Sequence, residues 1–136
     1  MAGTSRELKD REGIDSLAKL ARRRETGMRA ALARLTAAAN EADAAAAAYE
    51  RACAAQRRVW QEALSRGGIY GPREAAGASL AVEVQRMALG EAAARHRDAL
   101  ARARQARADL QEQRERLRQN ARKQEKLREL LTLYPR

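Results

Sequence analysis

Residues 67–72 read Gly-Gly-Ile-Tyr-Gly-Pro and lie almost at the midpoint of the 136-residue chain. On both sides the sequence is rich in Ala, Arg, Glu, Gln and Leu and contains no other strong helix breaker. Clustered glycine and proline end helices, because glycine loses much backbone entropy when it is held helical and proline lacks an amide donor. One central break between two helical stretches predicts a helical hairpin.

The composition also favours helices over a globular core. Apolar residues make up 45% of the chain, but only 3% are aromatic, none is Phe, and alanine dominates the apolar fraction. Alanine buries little surface, and no alternating Val/Ile/Thr-rich run suggests a strand. We predict an all-α fold of two long helices in an antiparallel coiled-coil hairpin, forming one elongated domain. Helix one is expected from about residue 6 or 14 to 66, the tip at 67–72, and helix two at about 73–133.

Small and apolar residues recur at alternating spacings of four and three, the pattern of a coiled-coil seam. In helix one the predicted seam comprises Met28, Leu32, Leu35, Ala39, Ala42, Ala46, Tyr49, Cys53, Gln56, Trp60 and Ala63. In helix two it comprises Ala99, Ala103, Ala106, Leu110, Gln113, Leu117, Asn120, Gln124, Leu127, Leu131 and Tyr134. The polar members either fix the register or are tolerated in a hydrated seam.

Two stretches depart from this spacing: Leu17-Leu20-Arg24 and Leu80-Val84-Met87. Each is separated from the regular stripe by one glycine, Gly27 or Gly90, which we interpret as a register shift within a continuous helix.

A fold about residues 69–70 places residues whose numbers add to about 139 opposite each other. Trp60 then faces Leu80, and Cys53 faces Met87. The alanine-rich residues 44–48 face residues 92–94, which we expect to be the least stable stretch because small side chains bury little area.

The positive charge is unevenly distributed. The chain carries a net charge of +10. From His96 onward there are twelve Lys/Arg against six Asp/Glu, whereas residues 67–95 hold three of each. The excess therefore falls at the open end of the predicted hairpin, where an acidic partner is expected.

Other functional classes lack the residues they need. Neither a glycine-rich phosphate loop nor a nucleophile with a matched base is found, so we expect no enzyme and no catalytic or cofactor-binding residues. Cys53 and His96 are the only cysteine and histidine, so no metal site is expected. The N-terminal residues mix both charges instead of forming an apolar signal, and no stretch is apolar enough to span a membrane, so we expect a cytoplasmic protein.

Several partners could meet the basic end. Nucleic acid is disfavoured because no aromatic residues interleave with the arginines, and direct membrane insertion is disfavoured because the seam uses the apolar stripe. A coiled-coil surface that is merely solvated remains an alternative.

The chain resembles the FliJ/YscO (SctO-type) central-stalk family of type III secretion and flagellar export. The resemblance rests on two long Ala-rich helices, basic free ends, and residues 121–131, Ala-Arg-Lys-Gln-Glu-Lys-Leu-Arg-Glu-Leu-Leu. It implies a bacterial stalk peripheral to an inner-membrane export apparatus, inserted into a hexameric export ATPase and facing an export-gate membrane protein. Secretion chaperones are further possible partners.

The resemblance also assigns regions of contact. The ATPase-contact candidates are Lys19, Arg22, Arg23, Arg24, Arg114, Arg118, Arg122, Lys123, Lys126 and Arg128. The gate-contact candidates are Trp60, Ile69, Tyr70 and Leu80. The alternatives are a coiled-coil adaptor or chaperone-escort protein and a nonspecific nucleic-acid-binding coiled coil.

Overall fold

The computed structural model describes residues 2–66 and 72–134, with their side chains over 5–66 and 73–134. Helix α1 spans Ala2–Ser65 and helix α2 spans Pro72–Thr132. The two helices pack against each other without strands in the described ranges, which confirms the all-α helical hairpin. Helix α1 begins earlier than expected. Of the predicted tip at 67–72, residues 67–71 lie outside the described residues, and Pro72 is the first residue of α2.

Local chemistry accounts for the ends of α2. Pro72 occupies the first turn, where its missing amide would be unpaired in any case, and Glu74 complements the positive end of the helix dipole. At the other end, the amides of Leu133 and Tyr134 bond to the carbonyls of Leu130 and Leu131 at 3.1 and 3.2 Å. Such bonds over three residues tighten the last turn and satisfy carbonyls that the helix leaves unpaired.

Backbone contacts divide the chain into two units, each made from both helices. Unit 1 contains the residues up to Ala37 and those from Ala108, and unit 2 is Ala38–Arg107. In unit 1, Asn120 bonds to Ala21 and Gln113 to Met28, so the helices run antiparallel. In unit 2, the pairs Gln56–Gln85 and Asp43–Arg107 show the same direction.

The predicted seam from Met28 and from Ala99 onward is confirmed, with one exception. Its members are buried or half-buried apart from Tyr49, whose side chain is 40% exposed. Each of the four polar members donates a hydrogen bond to the opposite helix, which favours the interpretation that they fix the register: Gln56, Gln113, Asn120 and Gln124.

The predicted register shift at Gly27 is wrong. The seam continues backward from Met28 at unbroken three and four spacing through Glu25, Ala21, Ala18, Ile14 and Arg11. Leu17, Leu20 and Arg24 are exposed instead. Gly27 is exposed too, with open space where a side chain would stand, because it lies on the outer face of a regular helix.

The register shift at Gly90 is wrong for the same reason. The half-buried stripe of α2 continues backward from Ala99 through His96, Ala92, Leu89, Gln85, Val82 and Ala78. Leu80, Val84 and Met87 lie on the outer face and are 53–67% exposed. The predicted pairs of Trp60 with Leu80 and of Cys53 with Met87 are therefore wrong.

The observed register lies above the expected sum of about 139. The cross-helix pairs have residue numbers that add to 141 for Gln56–Gln85, Met28–Gln113 and Ala21–Asn120, and to 149 and 150 for Glu25–Gln124 and Asp43–Arg107. Ala46 packs against Ala99 and Ala103, so the predicted facing of residues 44–48 with residues 92–94 is wrong.

The core is thin, as the alanine content predicts. In unit 2, Ala46, Ala99 and Ala103 form the buried cluster, with Ala42 and Leu100 packed against it. In unit 1, Leu110 is the only large apolar residue that is buried among those described. Little apolar area is buried by alanines, so the polar bonds across the seam matter more to the choice of register than they would in a leucine-rich core.

Candidate functional site

The charge of the chain is concentrated in unit 1. Unit 1 holds 17 Lys/Arg against 10 Asp/Glu, whereas unit 2 holds 11 against 8. Unit 1 therefore carries +7 of the net charge of +10. An excess of this kind creates a positive potential that attracts acidic partners and raises the rate of their association.

All ten ATPase-contact candidates lie in unit 1, and all ten side chains are exposed. Three of them make salt bridges along their own helix: Lys19 with Asp15 at 3.2 Å, Arg118 with Glu115 at 3.2 Å, and Arg128 with Glu125 at 2.9 Å. The other seven make no salt bridge to another described residue: Arg22, Arg23, Arg24, Arg114, Arg122, Lys123 and Lys126. These seven are available to pair with an external anion.

One groove of unit 1 combines these cations with apolar side chains. It has a volume of about 280 Å³. Its apolar lining comes from Leu17 and Leu20 of α1 and from Leu127 and Leu130 of α2. Three of the candidate cations line the same groove: Arg24, Lys123 and Lys126. We call this feature the leucine groove.

The leucine groove follows from which residues enter the seam. Ala18 and Ala21 are buried at 7% and 5% exposure, and each follows a leucine in the sequence. Because the alanines occupy the seam, Leu17 and Leu20 remain 54% and 40% exposed at its side. Lysine and arginine can cover such apolar surface with their aliphatic stems while their charges stay in water.

Polar contacts across the seam hold the helices in place beside the groove. The Asn120 amide donates to the Ala21 carbonyl at 2.9 Å, and the Gln124 amide donates to the Glu25 carboxylate at 2.8 Å. The hydrogen bonds from Gln124 and from the Arg29 guanidinium lower the pKa of the Glu25 carboxyl. Glu25 therefore stays ionised at neutral pH and restrains both helices.

The leucine groove was not predicted from the sequence. The predicted register shift at Gly27 would place Leu17 and Leu20 in the seam. Stepping back from Met28 by alternate threes and fours reaches Ala21 and Ala18 instead, so the spacing contained the signal that would have exposed the leucines.

The gate-contact candidates are only partly described. Ile69 and Tyr70 lie outside the described residues. Leu80 is 67% exposed and forms an outer apolar stripe with Val84 and Met87 in unit 2. Trp60 is half-buried in the seam of the same unit, and its indole Nε1 is buried without a hydrogen-bond partner among the described residues.

Other kinds of site find no support in the parts of the chain that the structure describes. Within residues 2–66 and 72–134, no group of three or more His, Cys, Asp or Glu side chains is placed to hold a metal ion. In the same ranges, neither helix contains a segment apolar and long enough to cross a membrane.

Comparison with protein-family models, with curated proteins and with solved structures finds no match to this chain.

Proposed function

We propose that this chain is a non-enzymatic central stalk of a bacterial type III secretion export apparatus. Unit 1 would insert into the central hole of a hexameric export ATPase, and unit 2, which contains the gate-contact candidates Trp60 and Leu80, would face the export gate. The proposal combines the resemblance in the sequence with one structural observation. Ten exposed cations, seven of them without a salt bridge in the described structure, lie in the unit that carries +7.

Charge of this kind suits a channel lined by acidic loops. Arginine and lysine form charge-assisted hydrogen bonds with carboxylates, and these bonds are stronger than neutral ones where water is excluded. Unpaired cations are the better donors here, because they lose no bond within the chain when they bind.

The mechanism would be coupling between the stalk and the nucleotide states of the ring. One asymmetric hairpin inside six equivalent subunits contacts them unequally. If it binds one subunit conformation more tightly than another, linkage requires that it shift the ring toward that conformation. Stimulation of ATP hydrolysis is the expected readout.

The test reverses four adjacent cations of α2: Arg122, Lys123, Lys126 and Arg128, each to Glu. The assay measures ATP hydrolysis by the purified export ATPase encoded in the same genome, with and without the chain. We expect the reversal to abolish stimulation while circular dichroism shows unchanged helicity. Stimulation that survives the reversal refutes the model of a basic ATPase contact.

A matched control reverses four exposed cations of unit 2: Arg57, Arg58, Arg102 and Arg104, each to Glu. This variant loses the same amount of net charge as the first. It should still stimulate ATP hydrolysis if the contact depends on the cations of unit 1 and not only on the net charge of the chain. Equal loss in both variants would contradict the assignment to unit 1.

A coiled-coil adaptor or chaperone-escort protein is the second candidate. The specific observation in its favour is the outer apolar stripe Leu80, Val84 and Met87, since i, i+4 and i+7 positions are those that bind another helix. Pull-down of a hexameric ATPase favours the stalk, whereas recovery of helical chaperones without it favours the adaptor. Recovery of nucleic acid, with affinity falling steeply as salt rises, would favour nonspecific nucleic-acid binding instead.

A further inference from the structure

We infer that the leucine groove is a docking site for one acidic amphipathic helix of a partner protein, which lies beside α1 and α2 as a third helix. The inference concerns the chemistry of the occupant. It holds whether the partner is an ATPase or another protein, and so goes beyond the stalk function.

The shape and lining of the groove favour a helix. Its four leucines come from two neighbouring helices, two from each, and its volume of about 280 Å³ accommodates side chains and not a folded domain. Leu17 and Leu20 are spaced i, i+3 along α1, and Leu127 and Leu130 repeat that spacing along α2. A third helix that presents leucines at three and four residue spacings can place them between these two pairs.

The cations of the groove favour a partner helix with a negative net charge. Arg24, Lys123 and Lys126 line the groove, and none of them has a salt bridge to a described residue. Glutamates flanking the leucines of an incoming helix would meet these cations. A second copy of the same unit is disfavoured as the occupant because each unit 1 carries +7 and two copies repel each other.

A lipid surface fits the observations less well. Anionic membranes also attract basic and apolar residues, but a membrane-bound helix buries a continuous apolar face. Here the leucines line a groove flanked by cations, and Leu127 is half-buried in the seam. A narrow helix reaches such a recess more easily than a bilayer.

The binding test uses the full chain and a synthetic probe. The probe is a fluorescein-labelled peptide of about three heptads, with leucine at the a and d positions and mostly glutamate elsewhere. A second peptide has the same composition in an order that forms no leucine stripe. We expect fluorescence anisotropy to show saturable binding of the first peptide, at least about tenfold tighter than the second. Equal binding of the two peptides would overturn the inference, because it would show charge attraction alone.

Variants locate the site. Leu17→Gln with Leu130→Gln removes two exposed groove leucines without touching the buried seam, and should weaken peptide binding by about tenfold. The matched control is Val59→Gln with Leu64→Gln, two exposed apolar residues of unit 2 that should leave binding unchanged. Loss of binding in the control, or its retention in the groove variant, would place the site elsewhere and overturn the inference.

A charge variant tests the selection of an acidic partner. Lys123→Glu with Lys126→Glu should abolish binding, whereas Arg102→Glu with Arg104→Glu in unit 2 should weaken it only slightly. If both charge variants weaken binding equally, the groove cations have no special role and the inference is wrong.

Binding to lipid vesicles tests the alternative that the groove contacts a membrane surface. Full-chain binding to phosphatidylserine-containing vesicles that is lost in Leu17→Gln with Leu130→Gln would reassign the groove to a lipid surface and overturn the inference. We expect vesicle binding to be unaffected by these two substitutions.

Failure of this inference and failure of the stalk function are distinguishable. Peptide binding that depends on the groove, in a chain that does not stimulate the ATPase, supports the inference and refutes the stalk. Stimulation of the ATPase without any binding of the peptide refutes the inference and supports the stalk.

Discussion

Replacement of Asn120 by leucine should stabilise the protein, although it removes a buried hydrogen bond. Asn120 is 3% exposed in the seam, and its amide donates to the Ala21 carbonyl at 2.9 Å. That carbonyl lies inside α1, where it also accepts the bond of the regular helix, so the substitution leaves no buried acceptor without a partner. Because Asn120 also lines the leucine groove, the slightly larger leucine has space to occupy.

The magnitude follows from two opposing terms. Loss of the hydrogen bond costs about 0.5–1.5 kcal/mol, and burial of a leucine side chain contributes about 1.5–3 kcal/mol. The free energy of unfolding should therefore rise by about 1 kcal/mol. For a chain of 136 residues this corresponds to an increase in melting temperature of about 3–4 °C. Asn120→Ala, which loses the bond without gaining a large apolar side chain, should instead cost about 1 kcal/mol.

The assay is thermal unfolding followed by circular dichroism at 222 nm, with the three proteins at one concentration. Light scattering after size exclusion provides a second readout, because loss of a polar seam residue relaxes the control of register and strand number. A lower melting temperature for Asn120→Leu than for the native chain would refute the reasoning. It would mean that the hydrogen bond stabilises this seam more than leucine burial can.

Three further predictions concern other positions. Gly27→Ala should raise the free energy of unfolding by about 0.5–1 kcal/mol in denaturant titration, because Gly27 is an exposed helix residue with open space around the missing side chain. A lower free energy of unfolding would instead support a register shift at Gly27. Ala103→Leu should lower the free energy of unfolding by about 1–3 kcal/mol, because Ala103 is 0% exposed within an alanine cluster and a larger side chain would overpack it. An unchanged free energy of unfolding would show that the cluster can accommodate a leucine. Because the pKa of Glu25 is lowered by Gln124 and Arg29, its stabilising effect is complete above the ordinary pKa of 4.5 and is lost as the pH falls below it. Glu25→Gln should therefore show a smaller fall in melting temperature than the native chain between about pH 6 and 3, and an identical fall would contradict the assignment.

The seam from Met28 in α1 and from Ala99 in α2 could be predicted because its signal is local. Residues three and four apart share a helix face whatever the partner is, so spacing alone places Leu110 and Asn120 on one stripe. The error arose where two apolar residues are adjacent, as with Leu17 and Ala18. A register shift at Gly27 would bring the leucine into the seam, but the continuous spacing and the partner helix place the alanine there.

The exact register also depended on the packed structure. The sequence places the turn near residue 70, but an uncertainty of one residue at the turn changes the sum of paired numbers by two. The cross-helix contacts, whose residue numbers add to 141 for Ala21–Asn120 and to 150 for Asp43–Arg107, place the observed register above the expected value. Such contacts require both helices at their final separation, which no local pattern contains.

The sequence by itself determined two helices, their common seam and the excess of positive charge, because helix breakers, heptad spacing and charge are properties of neighbouring residues. The tertiary structure alone decided how the apolar residues outside the seam come together. Alanines at positions 18 and 21 allow the seam to close without Leu17 and Leu20, and those leucines meet Leu127, Leu130 and three cations of the same unit. The leucine groove exists only once both helices are paired, which is why no local pattern contains it.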